Sequence, residues 1–482
     1  MPEILDRANT SESFSTSVMA SSSLFFGLAL LMLGNGLQGS LLGVRAAQED
    51  FASGVIGLIM AAFFAGFLLG SVWTPSALHR AGYIRVFAAL AAMASVAILL
   101  HEVFVDPLIW GLMRFVTGLC FAGIFVISES WLNNRATNLT RGRLLAVYMV
   151  VMYLGQGGGQ LLLNVASTTN ADLFILSSVL ISIAVVPLLL SATPAPEVNH
   201  SSRISVLRLL SISPFGAGGV IAAGIINGTI MGMGAVYAHD VGLSVRQIAL
   251  FMSAIICGGA VLQWPLGRLS DHFDRRVIIV SVAFAGAAAA LLANHATGWT
   301  TAWMLTGIGL YGGLAFALHS LCLAHTNDCL ESSEMLGASS SLVLLLGAGS
   351  VAGPLAVGAV MGQLGATGFF WWLATVQVIF GIFGLGCIRY FAKRASVSPS
   401  HYMVVPPQGA SVSTAAIENV YATQEEDGTA EDELPLGESN VTNPADMQNA
   451  DNRPLPVSDL HDSRPDTARA APPSVQDPEA NL

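Results

Sequence analysis

Arg114 is the residue of this sequence whose chemistry most needs explaining. It stands in an apolar run, seven residues past Pro107. At 1.5 Å per helical residue it would lie about 10 Å inside that run. A charge at such depth is costly unless it is paired, hydrated or turned toward a cavity. Arg114 is therefore expected to face the interior of a helix bundle, where it could hold an anionic group or serve as a structural arginine bonded to helix carbonyls. The amides Asn35, Gln38, Gln156, Gln160, Asn164 and Asn227 also stand in apolar runs, as does His319. Amides are poor neighbours for hydrocarbon, and either line a polar pathway or tie helices together. His319 could titrate near neutral pH, or simply be a packed, hydrogen-bonded side chain.

A second set is suited to holding a conformation rather than a ligand. Glu129 follows Arg114 by fifteen residues, about 22 Å further along the same helix. That brings it beside Arg80, Arg135 and Arg143, with which a gate or latch could pair. Asp271, Arg275 and Arg276 fall in the string Gly267-Arg-Leu-Ser-Asp271-His272-Phe-Asp274-Arg275-Arg276. An aspartate there can sit against a helix N-terminus, whose partial positive charge favours it. Making and breaking that contact would bias two conformations; ordinary loop charges are the plainer alternative.

The missing chemistry is also informative. Of 31 acidic residues, fifteen follow residue 400, and among the other sixteen only Glu129 lies deep in an apolar run. A site for cationic cargo normally needs a carboxylate near mid-depth, so neutral or anionic cargo fits better. No paired carboxylates, nucleophile–base set, metal cluster or phosphate loop stands out, which argues against an enzyme. The five cysteines are scattered without a C-x-x-C spacing and read as packing thiols. No cofactor, metal or nucleic-acid partner is expected.

The elements that must position these residues are membrane helices. The chain has 482 residues, 53% hydrophobic and 11% charged, where soluble proteins carry about a quarter charged residues. Twelve apolar blocks are expected to span a bilayer, at 21–44, 52–73, 86–104, 107–132, 144–167, 173–192, 215–238, 248–266, 277–293, 299–324, 337–361 and 368–390. Each is near the roughly 20 residues a spanning helix needs. They are unbroken rather than alternating, so helices and not barrel strands. The fold class is thus all-α and integral to the membrane. The expected domains are a six-helix half at 1–192, a linker at 193–211, a six-helix half at 212–394 and a tail at 395–482.

Fourteen Arg and Lys residues, from Arg7 to Arg394, fall on one side of these spans, and only Arg45 and Arg246 on the other. Short basic loops stay in the cytoplasm, so both termini are expected there. The tail holds eleven of the chain's twenty prolines, at or beyond Pro399, and fifteen acidic residues against three arginines, which accounts for the chain's net charge of −11. Such a composition predicts a disordered segment, and leaves residues 1–400 nearly neutral.

The two halves repeat. A shift of 192 residues carries Asn35-Gly36 onto Asn227-Gly228, Ile56 onto Ile248, Met60 onto Met252 and Gly66 onto Gly258. Two residues of drift later, Gly155 and Gly159 fall on Gly349 and Gly353. Repeated halves put a substrate site between them near the midplane, with access alternating as they rock.

With these features the chain resembles the major facilitator superfamily over roughly residues 15–395. The string from Gly267 to Arg276 is similar to that family's cytoplasmic signature, G-x-x-x-D-R-x-G-R-R/K. A degraded first copy has Pro75 and His79 in the glycine and aspartate slots, then Arg80, Gly82 and Arg85. Arg114 with Gly118 looks like a second family motif. The segments ISESWLNNRAT, RGRLLAVYM and LAHTND are similar to poorly characterised bacterial members with efflux or solute-carrier roles. The resemblance implies a multi-pass carrier in a plasma membrane, the inner membrane of a bacterium. Its partners would be the lipid bilayer, a small organic solute and, as one option for coupling, protons. The proline-bearing motif of drug antiporters is not reproduced on the fifth span, which reads Gly155-Gln156-Gly157-Gly158-Gly159-Gln160.

The leading expectation is a secondary transporter of a small organic solute working by alternating access. A drug efflux antiporter is one alternative. A transport-inactive receptor or scaffold signalling through the C-terminal tail is another, favoured by the degraded first signature and the acidic extension. A channel lacks any selectivity-filter-like repeat.

Overall fold

The computed structural model describes residues 21–135, 141–190, 205–295, 300–330 and 332–391. The expected tail, most of the expected linker and the side chain of Arg135 lie outside the described residues. Twelve long helices follow one another: α1 Ser22–Gln48, α2 Ser53–Ala81, α3 Tyr83–Val103, α4 Pro107–Arg135, α5 Arg141–Leu161 and α6 Asp172–Leu189, then α7 Pro214–Asp240, α8 Val245–His272, α9 Arg275–His295, α10 Thr301–Asn327, α11 Ser332–Leu364 and α12 Gly368–Phe391. All twelve are long and apolar enough to cross a membrane. In hydrocarbon the backbone must satisfy its own hydrogen bonds, and a continuous helix does so along its length.

Most helices run several residues beyond their apolar blocks. α2 reaches Ala81 and α8 reaches His272, carrying Arg80, Arg268 and Asp271 on helical backbone. α5 is the exception. It ends at Leu161, and a single 3-10 turn covers Leu162–Asn164. Asn164 is exposed there, its amide donating to the Leu161 carbonyl at 3.0 Å, so it belongs to the helix end and not to a cavity. A short linker helix, Val206–Ile212, precedes α7; the Ser205 side chain caps it by accepting from the Arg208 N–H. The link between α2 and α3 is Gly82 alone, at φ 78° and ψ 166°. Only glycine tolerates that backbone region without strain.

Glycines set the close helix crossings, and they do so twice. A side chain on Gly36 (α1) would strike the carbonyl of Gln156 on α5, and one on Gly159 would strike that of Leu33. The residues 192 and 194 positions on repeat the geometry: Gly228 (α7) meets the Ser350 carbonyl on α11, and Gly353 meets that of Ile225. A second crossing is likewise doubled. Gly66 (α2) meets the Phe115 carbonyl and Gly118 (α4) that of Phe63, while Gly258 (α8) meets Gly309 and Gly312 (α10) meets Ile255. Lipid offers no hydrophobic drive between helices, so such backbone proximity is where van der Waals contact is gained. The proline inside α11 joins in. Pro354 cannot donate to the Ser350 carbonyl four residues back, and that carbonyl is the one against which Gly228 lies.

Candidate functional site

Helices from both sets converge on a narrow central pocket. Asn35, Gly39 and Ser40 (α1), Phe63 and Phe64 (α2), Arg114 (α4), Gln156 and Gln160 (α5) line it, together with Met231 (α7) and Met252 (α8). Arg114 and Met252 each lie seven residues inside their helix ends, and Ser40, Gln156 and Met231 lie at similar depth on theirs. At the helical rise this puts the pocket about 10–14 Å from the arginine-poor ends, near the middle of a core about 30 Å thick.

Arg114 dominates its chemistry. The side chain is 4% exposed, and its guanidinium carbon stands 4.4 Å from the centroid of the Phe63 ring. That stacking is a cation–π contact. The Arg114 Nε has no hydrogen-bond partner, and Arg114 makes no ion pair, among the described residues. A buried cation so placed is strongly attractive to any anion that reaches it.

The amides beside it are held by one another. Asn35 Nδ2 donates to Gln156 Oε1 at 3.1 Å, and the Ser40 hydroxyl donates to Gln160 Oε1. These two bonds join α1 to α5 and hold the polar groups in place at the pocket wall. Of the eight residues expected along the pathway, Arg114, Asn35, Gln156 and Gln160 are brought together, while Asn164 lies at the end of α5. Gln38, Asn227 and His319 are buried in α1, α7 and α10 but are not among the lining residues. Both polar atoms of the Gln38 amide and the Nδ1 of His319 lack partners among the described residues.

The contacts between the first six helices and the last six lie from the arginine-poor ends to mid-depth. Gly43 meets Val236, and Gly57 and Ser53 meet Pro354 and Gly358. The Ser253 hydroxyl donates to the Gly157 carbonyl at 3.0 Å. Deeper, Tyr153 Oη donates to Gln263 Oε1 at 3.1 Å, and Gln263 Nε2 donates to the Phe316 carbonyl at 3.3 Å. The pocket thus lies beneath a seal on its arginine-poor side.

The residues expected to act as a latch divide. Arg275 is buried and bridges three elements: its guanidinium donates to both carboxylate oxygens of Asp328, at 2.8 and 2.7 Å, and to Asp271 at 3.0 Å. Asp271 ends α8, Arg275 opens α9 and Asp328 follows α10, so one arginine fastens three helix ends. Arg276 donates its backbone N–H to Asp274 at 2.9 Å and makes no ion pair among the described residues. In the first set, Glu129 is buried and accepts from Tyr148 Oη at 3.1 Å. Arg80 is exposed and is not joined to Glu129. With His79 in the aspartate slot, the first signature copy has no carboxylate to draw an arginine inward.

Several members of these sites escaped sequence reasoning. Ser40, Phe63, Phe64, Met231 and Met252 carry types that are common throughout apolar helices, and nothing local marks them. Gln263 and Asp328 were legible in principle, one as a lone amide in an apolar run and the other as a lone acid at a run's end.

Residues 216–403 match the description Major Facilitator Superfamily. The protein called Uncharacterized MFS-type transporter YcaD, from Salmonella newport (strain SL254) and from Salmonella typhi, is 28% identical over 362 residues, which is 74% of this chain and 93% of the relative. Over these stretches the chain is similar to major facilitator superfamily transporters. Solved transporter structures share its fold. The nucleoside transporter NupG aligns with a TM-score of 0.63 at 13% identity, over 76% of this chain and 98% of its own. A bacterial homologue of the human lysosomal transporter Spinster, inward-facing and unoccupied, aligns at 0.60 and 14%, over 77% and 96%. A D-xylose–proton symporter aligns at 0.57 and 12%, over 81% and 99%. At these identities the likeness is one of fold.

Proposed function

We propose that this protein carries a small organic anion across the membrane by alternating access, with Arg114 as the anchor for the anionic group. The observation that carries this reading is a buried guanidinium without a counter-ion among the described residues, lining a central pocket. Asn35, Gln156, Gln160 and Ser40 would complete the anion's hydrogen bonding. No carboxylate is among the described lining residues, so a cationic drug would meet only repulsion from Arg114. Glu129 lies far from the pocket along α4, so proton coupling, if used, would act on the conformational equilibrium and not on cargo binding.

The proposed organisation is two six-helix halves, 1–192 and 212–394, joined through 193–211, with the arginine-rich face and both termini in the cytoplasm of a bacterial inner membrane. The doubled glycine crossings support the halves, and the arginine distribution supports the orientation. In that orientation the seal described above closes the outward side. Arg275, Asp271 and Asp328 would act as the latch of the second half, fastening α8, α9 and α10 so that they move together.

Thermal stabilisation of the purified protein by pooled anionic, neutral and cationic metabolites tests the reading. A ligand at a hundred times its dissociation constant adds about 2.7 kcal/mol. Stabilisation by an anion that Arg114→Ala abolishes is expected. Selective stabilisation by lipophilic cations would overturn it and restore drug efflux.

A further inference from the structure

The two walls of the pocket differ in kind, and the internal repeat shows how far they have diverged. Counterparts by the 192- and 194-residue shifts are paired structurally, because the glycine crossings match at the same positions. On α4 the polar anchor is Arg114; its counterpart on α10 is Ile308, which is buried and apolar. Ser40 on α1 answers to Gly232 on α7, and Gln160 on α5 to Pro354 on α11. Gly39, which presents open space to the pocket, answers to Met231, which fills its own side. What the second half gives the pocket is Met231 and Met252, both buried thioethers. The first half supplies the cation, the amides and a hydroxyl.

This asymmetry constrains the ligand. One guanidinium, with no second Arg, Lys or His among the described lining residues, matches a single negative charge better than a dianionic phosphate. A planar carboxylate fits its fork of N–H donors. Across from it, methionine is flexible and polarisable, and adapts to apolar groups of varied shape. The Phe63 face is already covered by the guanidinium, so the free apolar surface is that of Phe64, Met231 and Met252.

We propose that the cargo is an amphipathic monocarboxylate, its head at Arg114 in the first half and its apolar part against Met231 and Met252 of the second, these two methionines setting the preferred size of the apolar part. This rests on the reading of the pocket as an anion site. It also gives the carrier a reason to respond to cargo. A ligand whose two ends are held by different halves links them, whereas a ligand held by one half alone does not.

The test is binding of butyrate, hexanoate, octanoate and phenylacetate to the full-length protein in nanodiscs, by calorimetry, beside the matching primary amides. Carboxylates should bind at least tenfold tighter than their amides. Affinity should rise about fourfold per added methylene until the apolar wall is filled. Met231→Ala and Met252→Ala should flatten or shift that chain-length ranking while keeping the preference for carboxylate over amide. Met231→Leu, which preserves volume, should keep the ranking, and reports on any loss through misfolding. Arg114→Gln should erase the carboxylate preference but leave a residual chain-length trend. A carboxylate preference with a chain-length ranking that neither methionine variant alters overturns the inference and leaves the anion site standing. Equal binding of carboxylates and amides overturns the anion site as well.

Discussion

The two halves of this protein are built on one set of backbone contacts and carry opposite chemistry. Gly66 and Gly118 bring α2 and α4 together as Gly258 and Gly312 bring α8 and α10 together, position for position. Yet Arg114 on one side is Ile308 on the other, and Gln160 is Pro354. The charged helix ends differ in reverse. The second half joins Asp271, Arg275 and Asp328 in a cluster around the buried Arg275, whereas the first half has His79 where the second has Asp271 and leaves Arg80 exposed. Helix crossing depends on small residues and tolerates little, because an added methyl would meet backbone. The side chains that point into the pocket or the loops meet no such restriction, so the halves differ there: a cation and amides line the pocket from one half, and a buried arginine–carboxylate cluster stands at the helix ends of the other.

The sharpest way to break this comparison is at the anchor. Arg114→Ala is expected to lower uptake or counterflow in proteoliposomes by about 10- to 100-fold, the scale of losing charge-assisted hydrogen bonds. Ile308→Ala should leave the preference for anions unchanged in the same assay. Equal loss in both variants would mean that the halves share the anchoring role.

Next in size is the latch. Asp328→Asn leaves the buried Arg275 short of a counter-charge, which costs about 3 kcal/mol when a buried pair is broken. Thermal unfolding and cross-linking between α8 and α10 should both register it. A variant with wild-type stability would show that Asp271 alone suffices.

The glycine crossings come third, and here the halves should behave alike. Gly66→Val and Gly258→Val each force a side chain into a facing carbonyl, and overpacking of this kind costs about 1–3 kcal/mol. The comparison is sharpened if the two melting temperatures fall together, and broken if only one falls.

Asn35→Ala removes the bond to Gln156 and should cost about 1 kcal/mol of stability, measured by the same unfolding assay. Arg80→Gln closes the series. An exposed residue without an ion pair among the described residues should change stability by less than about 0.5 kcal/mol, in contrast to Arg275→Gln in the buried cluster of the second half. A large effect at Arg80 would reveal a partner formed in another conformation.

Some of this was legible before any coordinates. The twelve spans, their internal repeat and the depth of Arg114 follow from apolar block length and spacing, because hydrocarbon thickness and helical rise are fixed quantities. Even the errors were local: α5 stopped six residues early, and the linker helix was not foreseen. Four of the eight expected pathway residues met in one pocket, since an amide or cation inside an apolar run has few other places to go. The Asn35–Gln156 and Ser40–Gln160 pairs could not be read, because each joins helices about 120 residues apart.

The sequence by itself therefore determined that the chain crosses the membrane as a duplicated helical bundle with an uncommon buried arginine. Local patterns carry that information, since each helix is specified by its own composition. Only the tertiary structure decided which polar residues share a pocket and that Met231 and Met252 line it with them. It also decided that Asp328 joins Asp271 around Arg275. Those outcomes depend on helix rotation and crossing, which a one-dimensional pattern does not encode; they are set by where glycines let backbones approach and which faces are then turned inward.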